Sequence, residues 1–132
     1  MTPFGTRVRA LRKRQGLTLS RMAADLQLTP AYLSALEHGH RRRPSWSLVQ
    51  QIIDYFNLIW EDADDLRELA RMSHPRVVID TAGLSAKATL LANRLATEIT
   101  EADDGVLDEI IAVLDRRDRP EGSGTDQEQE PS

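Results

Sequence analysis

Arginine and histidine crowd into one short segment of the sequence. Residues 38–43 read His-Gly-His-Arg-Arg-Arg. Guanidinium groups pair with phosphate oxygens through charge and hydrogen bonds, so this segment suits contact with phosphate groups. His38 and His40 are spaced for a metal site, but no third ligand is evident nearby and the adjacent arginines repel a cation. We therefore expect these histidines to contact phosphate or solvent, and we expect no metal site.

A group of four acidic residues is the second set that invites a chemical interpretation. Paired carboxylates can bind Mg²⁺ or act as acid and base. At helical spacing, however, these residues cover the outer face and first turn of a helix, where negative charge is favourable. No nucleophile or phosphate-binding loop accompanies them, so we expect a solvated surface, no catalytic residue, no cofactor and no enzyme activity. The four residues are Glu61, Asp62, Asp64 and Asp65.

Composition narrows the class of protein. A hydrophobic fraction of 40% in 132 residues supports a core, and no apolar run approaches the ~20 residues of a membrane span. The absence of cysteine excludes disulfides and thiolate metal sites. The N-terminus has no apolar segment of the signal-peptide type, so we expect a soluble, cytoplasmic protein with no membrane partner.

Charge is divided unevenly along the chain. The net charge is −4, yet residues 1–45 carry nine Arg or Lys against two acids. Residues 46–132 carry eight Arg or Lys against nineteen acids. A basic front joined to an acidic rear favours a polyanionic partner at the front, because the local patch matters more than the total.

Capping residues predict five helices in residues 1–72. Thr2-Pro3 begins the first helix, which Gly16 ends, and Thr18 and Thr29-Pro30 begin the second and third. Few residues separate the apolar faces of the second and third helices, so these must cross steeply, as in a helix-turn-helix.

Ser45 caps a fourth helix with a wide apolar stripe, and a fifth follows the break at Asn57-Leu58. For the fifth helix we expect one apolar side, formed by Ile59, Ala63, Leu66, Leu69 and Ala70. We expect the aromatic residues in or beside these stripes to pack in the core; they are Trp46, Tyr55, Phe56 and Trp60.

The rear of the chain has a different character. Residues 73–83 contain Pro75 and a β-branched run, Val77 to Ile79, so we expect a linker or short extended segment. Residues 84–117 predict two amphipathic helices joined by a turn, with Ser85 as the cap of the first. They form an αα-hairpin with more apolar surface than it can cover. This hairpin must fold back on residues 1–72 or pair with another chain, and we favour pairing. Residues 118–132 are acidic and predict a disordered tail.

Several short segments together resemble a known family. They are Arg9-Ala10-Leu11-Arg12, Gly16-Leu17-Thr18, Met22-Ala23, Leu33 to Gly39, and Arg43-Pro44-Ser45. Residues 7–58 resemble the Xre or Cro/CI-type helix-turn-helix domain of lambdoid phage repressors and many bacterial regulators. The resemblance implies an all-α fold: a five-helix DNA-binding domain, here followed by the αα-hairpin and the acidic tail.

The resemblance also implies roles for particular residues. Helix 29–38 corresponds to the recognition helix, which lies in the major groove of double-stranded DNA. Its base-reading positions fall on Pro30, Ala31 and Ala35, flanked by Tyr32 and Ser34. Arg12 and Glu37 correspond to a structural salt bridge. Contacts with DNA phosphates or a groove are implied for Thr18, Ser20, Arg21, Thr29, His38, His40, Arg41, Arg42 and Arg43.

This sequence departs from the family pattern at three places. Pro30 and the two alanines stand where glutamines often read adenine, so their contacts would be apolar. Leu19 replaces a glutamine that usually touches phosphate. Gln27 stands at the turn position that is usually glycine, and a left-handed conformation there costs about 1 kcal/mol.

These observations favour a sequence-specific transcriptional regulator. One recognition helix reads few base pairs, so we expect a homodimer, acting as an autorepressor on a two-half-site operator and nucleoid-associated when bound. An antitoxin that binds operator DNA and a toxin remains the alternative, and an antirepressor is another possible partner. Our candidates for the dimer contact are the hairpin residues Leu91, Leu95, Ile99, Ile110 and Leu114.

Overall fold

A computed structural model describes residues 1–117 of the chain, and the acidic tail predicted for 118–132 lies outside the described residues. The described part is all-α, which confirms the predicted fold class, and it contains no β-strand. A 3₁₀ turn, Ile99–Glu101, follows the sixth helix. The helices are α1 Pro3–Gln15, α2 Leu19–Asp25, α3 Pro30–Glu37, α4 Trp46–Tyr55, α5 Trp60–Arg71, α6 Ala86–Glu98 and α7 Asp104–Arg117.

The predicted caps begin the helices as expected. The hydroxyl oxygen of Thr2 accepts a hydrogen bond from the Gly5 backbone N–H at 2.9 Å. The corresponding bonds to Thr18, Thr29, Ser45 and Ser85 are 3.0 to 3.1 Å long. Each satisfies a backbone donor that the helix itself leaves without a partner.

Two residues with left-handed backbone shape the corners around α2. Gly16 ends α1 with φ 67°, a conformation that glycine adopts without strain. Gln27 holds φ 61° in the turn between α2 and α3, at the position where the family resemblance implies a left-handed residue. The non-glycine residue there costs about 1 kcal/mol, which the packing of α2 on α3 must offset.

The first compact unit, Met1–Val78, is built around one apolar core. In this unit α2 packs on α3, α1 on α3 and α5, and α4 on α5. Because every helix contributes an apolar face, burial of these side chains is the main force that holds the five helices together. The core comprises Phe4, Val8, Leu11, Met22, Ala23, Leu33, Leu36, Leu48, Val49, Ile52, Ile53, Phe56, Ala63, Leu66 and Ala70.

The expectation of core packing was right for Phe56 but wrong for both tryptophans. Trp46 is 69% exposed and Trp60 is 82% exposed. Trp46 lies in the first turn of α4, where its ring packs against the Arg67 guanidinium carbon at 5.7 Å and not in the core. Trp60 has left-handed backbone, φ 52°, and is largely exposed. Ile59, expected on the buried side of α5, is exposed at 66% because it precedes the helix.

The second compact unit begins at Ile79. The Val77 to Ile79 run has no regular structure. Asp103 accepts a hydrogen bond from the Val106 N–H at 2.9 Å and so caps α7. None of the side chains of α6 and α7 is buried. The described part of this unit therefore contains two helices, α6 and α7, whose apolar side chains are exposed or half-buried.

Candidate nucleic-acid interface

The first turn of α3 presents two exposed residues to solvent, Pro30 and Ala31. Tyr32, Ser34 and Ala35 are half-buried, while the opposite side of the helix is held in the core by Leu33 and Leu36. Among these surface residues only Tyr32 and Ser34 carry hydrogen-bonding side chains. The surface of α3 is therefore mostly apolar.

Tyr32 lies against the first arginine of the basic loop, which we define as residues 39–43. The guanidinium carbon of Arg41 is 5.3 Å from the centroid of the Tyr32 ring. A guanidinium over an aromatic face is attracted by the ring quadrupole. This contact joins the start of α3 to the basic loop, although nine residues separate the two in sequence.

The arginines of the basic loop carry free positive charge. Arg41, Arg42 and Arg43 are exposed, and within residues 1–117 no carboxylate lies within ion-pair distance of them. His38 and His40 are stacked, with ring centroids 6.3 Å apart. The Nδ1 of His38 lies 2.9 Å from the backbone oxygen of Ser34, which leaves Nε2 facing away from that bond. The loop thus concentrates cationic and donor groups beside Tyr32.

Arg21 differs from the loop arginines because it is already paired. Its Nε donates to both oxygens of Asp25 at 3.2 Å. Asp25 also accepts a 2.6 Å hydrogen bond from the Tyr55 hydroxyl, which links α2 to α4. This bond, followed by the bond from Arg21, holds the pKa of Asp25 below its ordinary value. Burial and the bond to Asp25 raise the pKa of Tyr55.

Of the three hydroxyl groups expected to contact phosphate, two cap helices and one does not. Thr18 and Thr29 are exposed, and their oxygens are engaged as helix caps, so only their O–H hydrogens remain for a partner. Ser20 is exposed in the first turn of α2. All three therefore lie at the N-terminal ends of α2 and α3, where the helix dipoles favour an anion.

Arg12 and Glu37 form an ion pair between α1 and α3. The Glu37 side chain is only 1% exposed. Gly5 lies beside this pair, because a Cβ there would overlap the backbone oxygen of Glu37. The pair and the close helix contact fix the C-terminal end of α3, from which the basic loop leaves. The role of Gly5 was not predicted; a glycine in the interior of the predicted first helix was the available signal.

A family model described as a helix-turn-helix domain matches residues 3–69, just over half of the chain. The chain belongs to the helix-turn-helix domain family. Domains of this family bind DNA, so the helix-turn-helix unit α2–α3 and the basic loop are the natural candidates for the contact surface. Neither the curated proteins nor the solved structures contain a match to the chain.

In residues 1–117, no cluster of three or more His, Cys, Asp or Glu side chains could hold a metal ion. The acidic residues 61–65 lie on the exposed side of α5, and Asp64 is paired with Arg67 at 2.9 Å. Over the same described range, no helix is long and apolar enough to cross a membrane.

The candidate dimer residues lie on α6, α7 and the turn between them. Leu95 is half-buried, and the others are exposed. They are accompanied by further exposed apolar side chains, among them Leu90, Val106, Ile111 and Val113. Exposed apolar side chains in such numbers are typical of surfaces that contact another protein.

Proposed function

We propose that this helix-turn-helix protein is a sequence-specific, dimeric transcriptional regulator of the Xre or Cro/CI type. The observation that carries the proposal is the contact between Tyr32 on α3 and Arg41 of the basic loop. It places an exposed helix start and three free arginines on one surface. Such a surface lets α3 enter the major groove while the loop neutralises the adjacent phosphates.

The recognition chemistry follows from the residues on α3. Pro30, Ala31 and Ala35 offer apolar contact, which suits the methyl group of thymine. Tyr32 and Ser34 supply the hydrogen bonds to bases or phosphates. Because direct hydrogen-bond reading is sparse, Arg41 to Arg43 also supply much of the affinity, and an arginine in the minor groove can read its width.

Dimerisation completes the proposed site. A single α3 covers too few base pairs for specificity in a genome, so two half-sites about one helical turn apart are needed. The uncovered apolar side chains of α6 and α7, with Leu91 and Leu95 among them, are the proposed contact between subunits. Binding across a promoter in the cytoplasm would repress transcription, including that of the regulator's own gene.

The same uncovered surface supports one alternative. A toxin or an antirepressor could cover Leu91 and Leu95 in place of a second copy, and the protein would then be an antitoxin that binds both DNA and a protein. The oligomeric state of the purified chain separates the two proposals. A stable homodimer supports the regulator, and a chain that stays monomeric until a second protein is added supports the alternative.

Footprinting on the DNA upstream of the protein's own gene tests the proposal. The wild type should protect two half-sites, and Arg41→Ala/Arg42→Ala/Arg43→Ala should lose protection. Each lost phosphate contact lowers the slope of log affinity against log salt by about 0.9. Lys87→Ala/Arg94→Ala/Arg116→Ala removes the same charge from α6 and α7 and serves as the control. No protection by the wild type there, and no selected site from a randomised library, would refute the proposal.

A further inference from the structure

An open groove of about 1730 Å³ lies behind the basic loop. Its lining includes Tyr32, the loop arginines Arg41 to Arg43, and the chain that follows α5 with Pro75 and Arg76. The whole groove belongs to the first compact unit. The groove therefore brings Tyr32 of α3 together with residues beyond α5.

The segment after α5 is held firmly against this groove. The Ser73 side chain is buried; its oxygen accepts a hydrogen bond from the Phe4 N–H at 3.0 Å, and its hydroxyl donates to the Leu69 backbone oxygen. Pro75 reaches the basic loop, because a Cβ on Gly39 would lie 3.6 Å from the Pro75 Cβ. Arg76 is thus fixed close to the loop even though more than thirty residues separate them in sequence.

The arginines that line the groove differ in whether a carboxylate pairs with them. Arg67 pairs with Asp64, and Arg71 pairs with Glu68, both at 2.9 Å. Arg76, like the loop arginines, has no carboxylate within ion-pair distance in the described chain. The free positive charge that lines the groove therefore comes from the basic loop and from Arg76, while Arg67 and Arg71 are neutralised by their partners.

We propose that this groove holds the phosphodiester backbone of DNA that flanks the half-site, with Arg76 as a phosphate contact. This inference rests on the proposed function and deepens it. DNA is the occupant we choose because the proposed phosphate contacts Arg41 to Arg43 themselves line the groove. Four arginines without carboxylate partners, Arg41 to Arg43 and Arg76, complement a row of phosphates.

Arg76→Ala tests the proposal on a duplex that the wild-type protein selects from a randomised library. With flanks of about one helical turn on each side, we expect the slope of log affinity against log salt to fall by about 0.9 per subunit. Lys87→Ala, an equal loss of charge on α6, should leave the slope unchanged. On a duplex trimmed to the half-sites, wild type and Arg76→Ala should bind alike, because the contacted phosphates are gone.

The two tryptophans of the chain give an independent readout. Trp46 lines the groove, whereas Trp60 does not. In the Trp60→Phe variant, Trp46 is the remaining tryptophan. A saturating concentration of the duplex with flanks should protect its fluorescence from quenching by acrylamide. In Trp46→Phe, the remaining Trp60 should stay as accessible as in the free protein.

The outcomes separate this inference from the function on which it rests. If the wild type binds its site and Arg76→Ala has the same slope on the long duplex, the inference is overturned and the regulator remains. If the wild type binds no DNA, both fail. If the effect of Arg76→Ala vanishes when Asp126, Glu128 and Glu130 are changed to amides, the acidic tail occupies the groove, which also overturns the inference.

Discussion

The guanidinium of Arg12 and the carboxylate of Glu37 form a buried ion pair that joins α1 to α3. Removing one partner leaves the other charged group buried without compensation, so Glu37→Gln should lower the free energy of unfolding by about 3–5 kcal/mol. Urea unfolding measures this loss. Glu98→Gln, which breaks the exposed pair with Arg94, is the matched control and should cost little.

The double variant Arg12→Met/Glu37→Leu sharpens this prediction. It removes both charges and keeps similar apolar volume, so most of the stability lost in Glu37→Gln should return. If the double variant were as unstable as Glu37→Gln, the ion pair would stabilise the fold by more than the neutralisation of each charge by the other.

Gly5 and Gly16 should respond differently to the same substitution. Gly5→Ala pushes a methyl group into the Glu37 backbone and should cost about 1–3 kcal/mol or more through displacement of α1 from α3. Gly16→Ala meets no atom within 4 Å, and its left-handed backbone should cost about 1–2 kcal/mol. Thermal unfolding compares the stabilities of the two variants, and DNA titration compares their affinities. Gly5→Ala should also weaken DNA binding, and Gly16→Ala should bind normally once folded.

The hydrogen bond between Tyr55 and Asp25 should make the stability of the fold depend on pH at both the acidic and the alkaline end. The lowered pKa of Asp25 stabilises the fold above the ordinary value of 3.8, and this contribution is lost as pH falls through the lowered folded value. The raised pKa of Tyr55 stabilises the fold below 10.0, and that contribution is lost as pH rises through the folded value. Tyr55→Phe should therefore flatten both limbs of the pH profile of the urea midpoint.

Tyr32→Phe is the control for this experiment, because no side-chain hydrogen bond is made by the Tyr32 hydroxyl within the described chain. Its pH profile should follow the wild type. Equal profiles for Tyr55→Phe and the wild type would mean that the bond between Tyr55 and Asp25 does not persist in solution.

The Tyr32 ring should matter to DNA affinity through Arg41. Tyr32→Ala removes the aromatic face that orients the guanidinium, and the loss of about 0.5–1 kcal/mol corresponds to roughly two- to fivefold weaker binding. Tyr32→Phe keeps the face and should keep most of the affinity. Fluorescence anisotropy at one salt concentration measures both. An equal loss in the two variants would assign the effect to the hydroxyl, which then contacts DNA itself.

The apolar side chains of α6 and α7 should control the oligomeric state. Leu91→Glu/Leu95→Glu places two charges among them and should yield monomers by light scattering, because an unpaired charge is costly to bury. Asn93→Glu/Thr97→Glu adds the same charge at polar, exposed positions of α6 and should remain dimeric. A dimer in both variants would place the contact between subunits elsewhere.

Local chemistry made the helices predictable from the sequence. The caps Thr2, Thr18, Thr29, Ser45 and Ser85 were identified from the chain alone, and each makes the expected bond to a backbone N–H three residues later. The left-handed backbone of Gln27 was also expected. These features depend on neighbours within one turn of helix, so the sequence contains all of the information that they need.

The sequence alone determined the all-α fold, the starts of α1 to α4 and of α6, and the segment that carries the arginines. Only the tertiary structure decided that Trp46 and Trp60 are exposed, that Tyr55 bonds to Asp25, and that Arg76 returns to the basic loop. Periodicity places a side chain on a helix face, but it does not say where the neighbouring helix ends. Contacts across thirty residues or more depend on how all the faces pack at once, and no local pattern encodes them.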